Sequence, residues 1–224
     1  MMNKPTLYGI FASPYVRKTC LVLAYKGIVY EHLQLPPQND DPGFREASPL
    51  GKIPAWRDEH TAFSDSSVII QYLERFYPGP SLLPESPGGF ARALWFEEYA
   101  DSKLVPIFGG HLFAEEVLAE RIFKRPALQS DIDKALNEEI PVVATFLESQ
   151  IKGRQFLVDD SLTVADIAVG GVLLLLYHTG RTIDRGIAPE LASYLERLYQ
   201  SETFAGVIRS DVAGLQQLGW ESPM

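Results

Sequence analysis

Ser13-Pro14-Tyr15-Val16-Arg17-Lys18 is the stretch on which the reading of this chain turns. Ahead of it, Pro5-Thr6-Leu7-Tyr8-Gly9-Ile10-Phe11 is a short apolar run with strand character. Behind it, Val16, Cys20 and Leu23 recur at helical spacing, and Gly27 supplies a stop. A strand therefore passes to a helix through a Ser at the cap and a Pro at the first helical position, the two residue types that suit those places.

Working outward, the first 80 residues alternate in type. The pattern predicts strand Thr6–Ile10, helix Pro14–Lys26, strand Tyr30–Leu35 and a short helix near Pro42–Ala47. Strand Ile53–Asp58, a turn at Glu59-His60, strand Thr61–Ser64 and helix Asp65–Phe76 follow. This is βαβ followed by ββα, a small mixed sheet with helices packed on it. Tyr77 to Gly89 is too dense in Pro and Gly for helix or strand and reads as a linker. Beyond it only helical periodicity appears: Phe90–Phe123, Ser130–Lys152, Thr163–Tyr177, Pro189–Tyr199 and Phe204–Arg209. Pro106 and Pro141 fall inside the first two, where kinks or breaks are expected. Thr163 with Asp166 forms a capping box, and Leu162 with Ile167 a hydrophobic staple. The expected organisation is one domain over residues 1–80 and an all-helical one over 89–212.

Charge is uneven between these parts. Residues 1–80 carry eight basic and eight acidic side chains, so the net charge of −9 resides in residues 81–224. An acidic second half repels phosphate backbones, which argues against nucleic acid as a partner. No membrane partner is expected, because the longest apolar run, Val164 to Tyr177, contains Asp166 and is too short to span a bilayer. The N-terminus lacks the pattern of a secretory signal, and the expected location is cytoplasmic. A single cysteine excludes an intrachain disulfide and a Cys-based zinc site; the four histidines lack ligand spacing, so no metal is assigned.

Four motifs in order, S-P-Y-V-R-K at Ser13, S-P-L-G-K-I-P from Ser48 to Pro54, S-D-S-S-V-I-I from Ser64 to Ile70 and L-T-V-A-D-I from Leu162 to Ile167, carry a resemblance. The chain resembles a glutathione transferase over essentially its full length, of the serine type similar to tau-like and bacterial groups. The resemblance implies an α/β thioredoxin-like N-terminal domain joined to an all-α C-terminal domain. At the same junction thioredoxin-like proteins carry Cys-x-x-Cys, and glutaredoxins C-P-Y-C; here Ser13 and Val16 replace both sulfurs.

The roles that follow are implied by that resemblance. Ser13 donates a hydrogen bond to the sulfur of bound glutathione, although a Ser before Pro is also an ordinary helix cap. Ile53-Pro54 resembles the cis-proline of the fold, whose exposed backbone pairs with the cysteinyl backbone of the tripeptide. Lys52 is a partner for the glycyl carboxylate, Ser66 for the γ-glutamyl carboxylate and Asp65 for its ammonium. Several classes place a cation in the loop after the second strand. Here Pro36 to Asp41 has none, which leaves Gln38 or Asn39 as donors and implies weaker binding. Tyr15, Phe108, His111, Leu112 and Tyr177 are the candidates for a second-substrate pocket. The tail with Trp220 either covers that pocket or packs on the surface.

The expected activity is attack of the activated thiolate on a hydrophobic electrophile entering between the domains, by a homodimer, with glutathione as co-substrate. Two other readings compete. One is a non-catalytic interaction module of the same architecture, against which Ser13 and Asp65-Ser66 argue. The other is a glutathione-dependent isomerase, lyase or dehalogenase, which usually carries an S-S-C-S motif or a Cys where this chain has Ser13.

Overall fold

The computed structural model describes residues 4–224. Two compact units divide at Leu82/Leu83.

The first unit contains β1 (Thr6–Tyr8), α1 (Pro14–Lys26), β2 (Glu31–Leu33), α2 (Pro42–Ala47), β3 (Ala55–Arg57), β4 (Ala62–Ser64) and α3 (Ser66–Phe76). Its sheet has the order β2-β1-β3-β4, with β2 parallel to β1 and the other pairs antiparallel. Every strand is shorter than its apolar run. β1 stops at Tyr8 because Gly9, at φ +143°, turns the chain out of the ladder; β3 starts only after the cis Ile53–Pro54 bond.

Strand alternation sorts the core into two layers. Tyr8 and Ala55 pack with Phe44 and Ala47 of α2 on one face. Leu7 and its cross-strand partner Trp56, one residue out of step, are fully buried on the other. α1 begins with the Ser13 cap and Pro14. It ends at Gly27, whose N–H donates to Ala24 O while Ile28 N–H reaches Leu23 O. The helix is buried nearly all round, so Arg17, Lys18 and Thr19 are enclosed with Val16, Cys20 and Leu23. At its end, buried Lys26 meets Glu74 at 3.3 Å and donates to Pro80 O. Glu74 also accepts from Ser81 Oγ and Leu82 N–H, which fastens the exit of the unit.

The second unit is helical throughout: α4 (Pro87–Tyr99), a π-helical segment Ala100–Leu118, α5 (Gln129–Lys134), a second π-helical segment Ala135–Glu139, α6 (Ile140–Ile151), α7 (Val164–His178), α8 (Pro189–Gln200) and α9 (Glu202–Gln217). Three expectations are corrected. Pro87-Gly88-Gly89 is the first turn of α4, not linker, since Ser86 Oγ accepts from Gly89 N–H and Pro87 suits the first turn. Pro106 and Pro141 do not break the chain's helical course. Pro106 lies in the widened π-helical turns, and Pro141 directly follows the second π-helical segment at the start of α6. α9 runs well past Arg209, to Gln217, and within that extension Asp211 faces inward, its carboxylate 3.6 Å from buried His178.

α7 is the central helix, buried along almost its whole length. Asp166 anchors it. Its Oδ2 accepts from Thr163 N–H and Oγ1, and its Oδ1 from Leu157 N–H and the Tyr194 hydroxyl. The tail packs on the C-terminal end of this helix. Trp220 Nε1 donates to His178 O at 2.8 Å, and the Arg121 guanidinium lies 4.8 Å over the indole ring. Among the described residues no helix is long and apolar enough to cross a membrane.

Candidate active site

The loop from β1 to α1 is held at several points. Phe11 N–H donates to Gln34 Oε1 at 2.8 Å, and the His32 imidazole meets Gly9 O at 2.9 Å. From below, buried Arg17 reaches Phe11 O at 3.4 Å. This fixes Ser13, half-buried at the α1 cap, where Oγ accepts the Val16 N–H at 3.4 Å. That bond is at the long limit of useful geometry, so the hydroxyl is weakly engaged by its own helix.

Gly9 brings the next piece close. A Cβ there would stand 2.5 Å from Val16 Cγ2 and 3.2 Å from Ile53 Cβ, so the start of α1 and the Ile53 loop pack against a bare backbone. The Ile53–Pro54 bond is cis. No described residue hydrogen-bonds the N–H or C=O of Ile53, which leaves both for another chain. Lys52 beside it is exposed, and its carbonyl accepts from Ser48 Oγ.

A third piece arrives through α3. Lys18 Nζ donates to Ser67 Oγ at 3.2 Å, tying α1 to the first turn of α3. Asp65 caps that turn: Oδ1 accepts from Ser67 N–H at 3.0 Å and Val68 N–H at 3.2 Å, leaving Oδ2 exposed. Its backbone sits at φ +95°, a conformation that L-residues rarely adopt and that concentrates at functional sites. Ser66 follows at the first helical position, with no partner for its hydroxyl among the described residues.

Gln38 is occupied as a brace. Its N–H and Nε2 donate to Gly51 O and Leu50 O, and its Oε1 and O accept from Arg45. Arg45, from α2, thus brings a guanidinium to the loop that has no cation of its own, and also meets exposed Asp40 at 3.1 Å. Sequence reasoning missed it because that cation is seven residues downstream. The available signal was the Asp41-Pro42 cap, which starts a helix that folds Arg45 back on the loop.

The second-substrate candidates fall on both units. Phe108 and Leu112 are fully buried in the helical unit, on the π-helical segment Ala100–Leu118. Tyr15 is half-buried on α1. Tyr177 stacks edge-on against Tyr199 at 4.9 Å, and burial pushes its phenol up to about 12. His111 keeps part of its ring exposed and binds Glu139 at 2.7 Å. Among the described residues no group of His, Cys, Asp and Glu is arranged to hold a metal ion.

Comparison with known proteins follows the same division. Residues 7–81 match the glutathione S-transferase N-terminal domain and residues 114–202 the C-terminal domain. The GST-like protein YibF of Escherichia coli (strain K12) is 30% identical over 209 residues, 89% of this chain and 96% of the relative. A probable glutathione S-transferase, GSTU6, of Oryza sativa subsp. japonica is 26% identical over 216 residues, covering 92% and 88%. A glutathione S-transferase structure from Rhodospirillum rubrum F11 superposes with a TM-score of 0.81 at 24% identity, covering 91% of each chain, which speaks to the fold. With both domains matched in order and a relative aligned along nearly its full length, the chain belongs to the glutathione S-transferase family.

Proposed function

We propose that this glutathione transferase holds glutathione along Ser13, Lys52, Ile53, Asp65 and Ser66, and that the Ser13 hydroxyl donates a hydrogen bond to the glutathione sulfur. The observation that carries the reading is the state of that hydroxyl. Its oxygen accepts one long bond from Val16 N–H, and its proton has no acceptor among the described residues. Ile53 offers an unpaired N–H and C=O for strand-like pairing with the cysteinyl residue. Ser66, at the start of α3, offers a hydroxyl and helix-terminal N–H groups to the γ-glutamyl carboxylate, while Asp65 Oδ2 faces its ammonium. Lys52 and Arg45 are the cations for the glycyl carboxylate; Gln38 positions Arg45.

The magnitudes suffice. A free thiol with pKa about 8.5 is only a few per cent thiolate at neutral pH. Lowering that pKa by about two units takes roughly 2.7 kcal/mol. A hydrogen bond to a charged group supplies about 1.5–3 kcal/mol and a helix N-terminus about 0.3–1 more. No general base is required for thiolate formation. The thiolate then attacks a hydrophobic electrophile, for which Tyr15, half-buried on the first turn of α1, is a contact with side-chain surface to give. Turnover of 1-chloro-2,4-dinitrobenzene is expected, with retention on glutathione-agarose reversed by free glutathione. Failure of both assays overturns the reading in favour of an interaction module.

A homodimer and a cytoplasmic location belong to the same proposal, the latter because thiols are kept reduced there. The first unit has a cleft of about 840 Å³ whose wall includes Phe63, Val68, Tyr72 and Phe76. Val68 and Phe76 are 52% and 67% exposed, surface that a second copy of the chain would cover. Sedimentation at micromolar concentration tests this; a monomer rules it out.

A further inference from the structure

The turn that presents Ser13 is braced from the end of β2 by two polar side chains, His32 and Gln34. Ser13 N–H donates to Ile10 O at 3.1 Å, which closes Ile10 to Ser13 into a turn. The residues on either side of Ile10 are the two that are held. Gly9 N–H donates to Leu33 O at 3.0 Å, and Gly9 O accepts from His32 Nε2 at 2.9 Å. Phe11 N–H donates to Gln34 Oε1 at 2.8 Å.

These two backbone groups fix every role between them. A carbonyl only accepts, so His32 Nε2 carries the ring proton. A backbone N–H only donates, so the Gln34 amide turns its oxygen to Phe11 and its nitrogen to the imidazole. That nitrogen stands 3.1 Å from His32 Nδ1 and 3.2 Å from His32 Nε2. Because the Nε2 proton is engaged by Gly9 O, the Nδ1 lone pair is the acceptor and the ring is neutral. The result is a closed relay from Phe11 N–H through Gln34 and His32 to Gly9 O.

Gln34 is exposed and His32 half-buried, beside the Tyr30 ring at 6.0 Å. A surface amide has water as an alternative partner, so this relay adds little to global stability; it fixes the geometry of the turn. A hydroxyl that must meet a sulfur depends on that geometry, since a misplacement of about 1 Å costs about 10²-fold. We propose that Gln34 and His32 are positioning residues for Ser13. They hold the turn so that its hydroxyl stands where the glutathione sulfur arrives, and their effect reaches the sulfur only through Ser13. The inference rests on the glutathione reading above.

The test is a double-mutant cycle read by ultraviolet titration of the thiolate of bound glutathione. Gln34→Met keeps the length of the side chain and removes both of its bonds; His32→Leu removes the ring's donor and acceptor. A hydrogen bond of ordinary strength is worth about fivefold in an equilibrium, so each variant should lower the thiolate-to-thiol ratio about fivefold. Affinity for S-methylglutathione, which has no thiol proton, should stay within about twofold, since uniform binding is untouched. In a Ser13→Ala background neither substitution should lower the ratio further, because the group they position is gone. His32→Gln, whose amide offers a donor to Gly9 O and an acceptor to Gln34, should recover most of the wild-type ratio, a rescue that a packing role does not predict. At about pH 8, above the ordinary histidine range, nitrogen NMR assigned with the His32→Gln variant should find His32 as the Nε2–H tautomer. An Nδ1–H tautomer, unchanged ratios in Gln34→Met and His32→Leu, or losses that add to that of Ser13→Ala overturn the proposal and leave the glutathione reading standing. No uptake of glutathione by calorimetry, or a Ser13→Ala titration identical to that of the wild type, overturns both.

Discussion

At the start of α7, Thr163 and Asp166 close on each other inside the core, and every oxygen of the Asp166 carboxylate is engaged. At the start of α1, Ser13 holds Val16 N–H at 3.4 Å and has no described acceptor for its own proton. Both are hydroxyl caps, and a sequence reader sees the same signature in each. The difference lies in burial. Thr163 and Asp166 have no access to solvent or ligand, so their capacity is consumed by the fold. Ser13 is half-buried, with bonding capacity left for a visitor.

The largest effect should come from breaking the closed cap. Asp166→Leu strands Leu157 N–H, Thr163 N–H and the Tyr194 hydroxyl, at about 1–3 kcal/mol each. A loss of about 3 kcal/mol or more is expected in urea denaturation. Asp166→Asn keeps an acceptor and should lose less. Its deficit should also shrink as pH rises. Burial raises the Asp166 pKa in the folded protein, so the wild-type advantage is full below the unfolded value of about 3.9 and is lost through the raised one.

Opening the comparison at the other end, Ser13→Ala should cut turnover at neutral pH by about 100-fold, the equivalent of the roughly 2.7 kcal/mol above. Its cost in stability should not exceed about 1 kcal/mol, because the cap bond is long. A large stability loss with unchanged turnover makes Ser13 a cap like Thr163.

Asp65 lies between these extremes, with one oxygen in the cap and the other exposed. Asp65→Asn preserves the Oδ1 acceptor and should leave stability within about 0.5 kcal/mol. It removes the charge proposed to face the ammonium, and KM for glutathione should rise about tenfold. An unchanged KM assigns Asp65 to the cap alone.

The smallest effect is electrostatic. Arg125 lowers the Glu115 pKa, aided by Leu128 N–H against the opposing effect of burial. A lowered carboxylate contributes stability above its unfolded pKa of about 4.3 and loses it as pH falls through the folded value. Glu115→Gln should therefore flatten the acid side of the stability profile, opposite in sign to Asp166.

What could be read in advance follows from how local each feature is. The caps at Ser13, Asp65 and Thr163 each lie within four consecutive residues, and the sequence displays them and the helices they start. The reach of Arg45 to Gln38, the burial of Phe108 and Leu112, and the extension of α9 past Asp211 depend on partners far along the chain. No spacing rule encodes those meetings. His111 was legible as a candidate, but Glu139, which gives it an orientation, is 28 residues away. Of the candidate site, most residues could be named from the sequence, whereas their degree of occupation could not. Gln38 and Asp65 look equally available until their hydrogen bonds are seen.

The most direct measurement is the ultraviolet titration of the thiolate of glutathione bound to the wild-type protein and to Ser13→Ala. The account predicts a bound thiol pKa about two units below the free value near 8.5, returning most of the way in the variant. Identical titrations in the two proteins, or a wild-type value at that of free glutathione, contradict it.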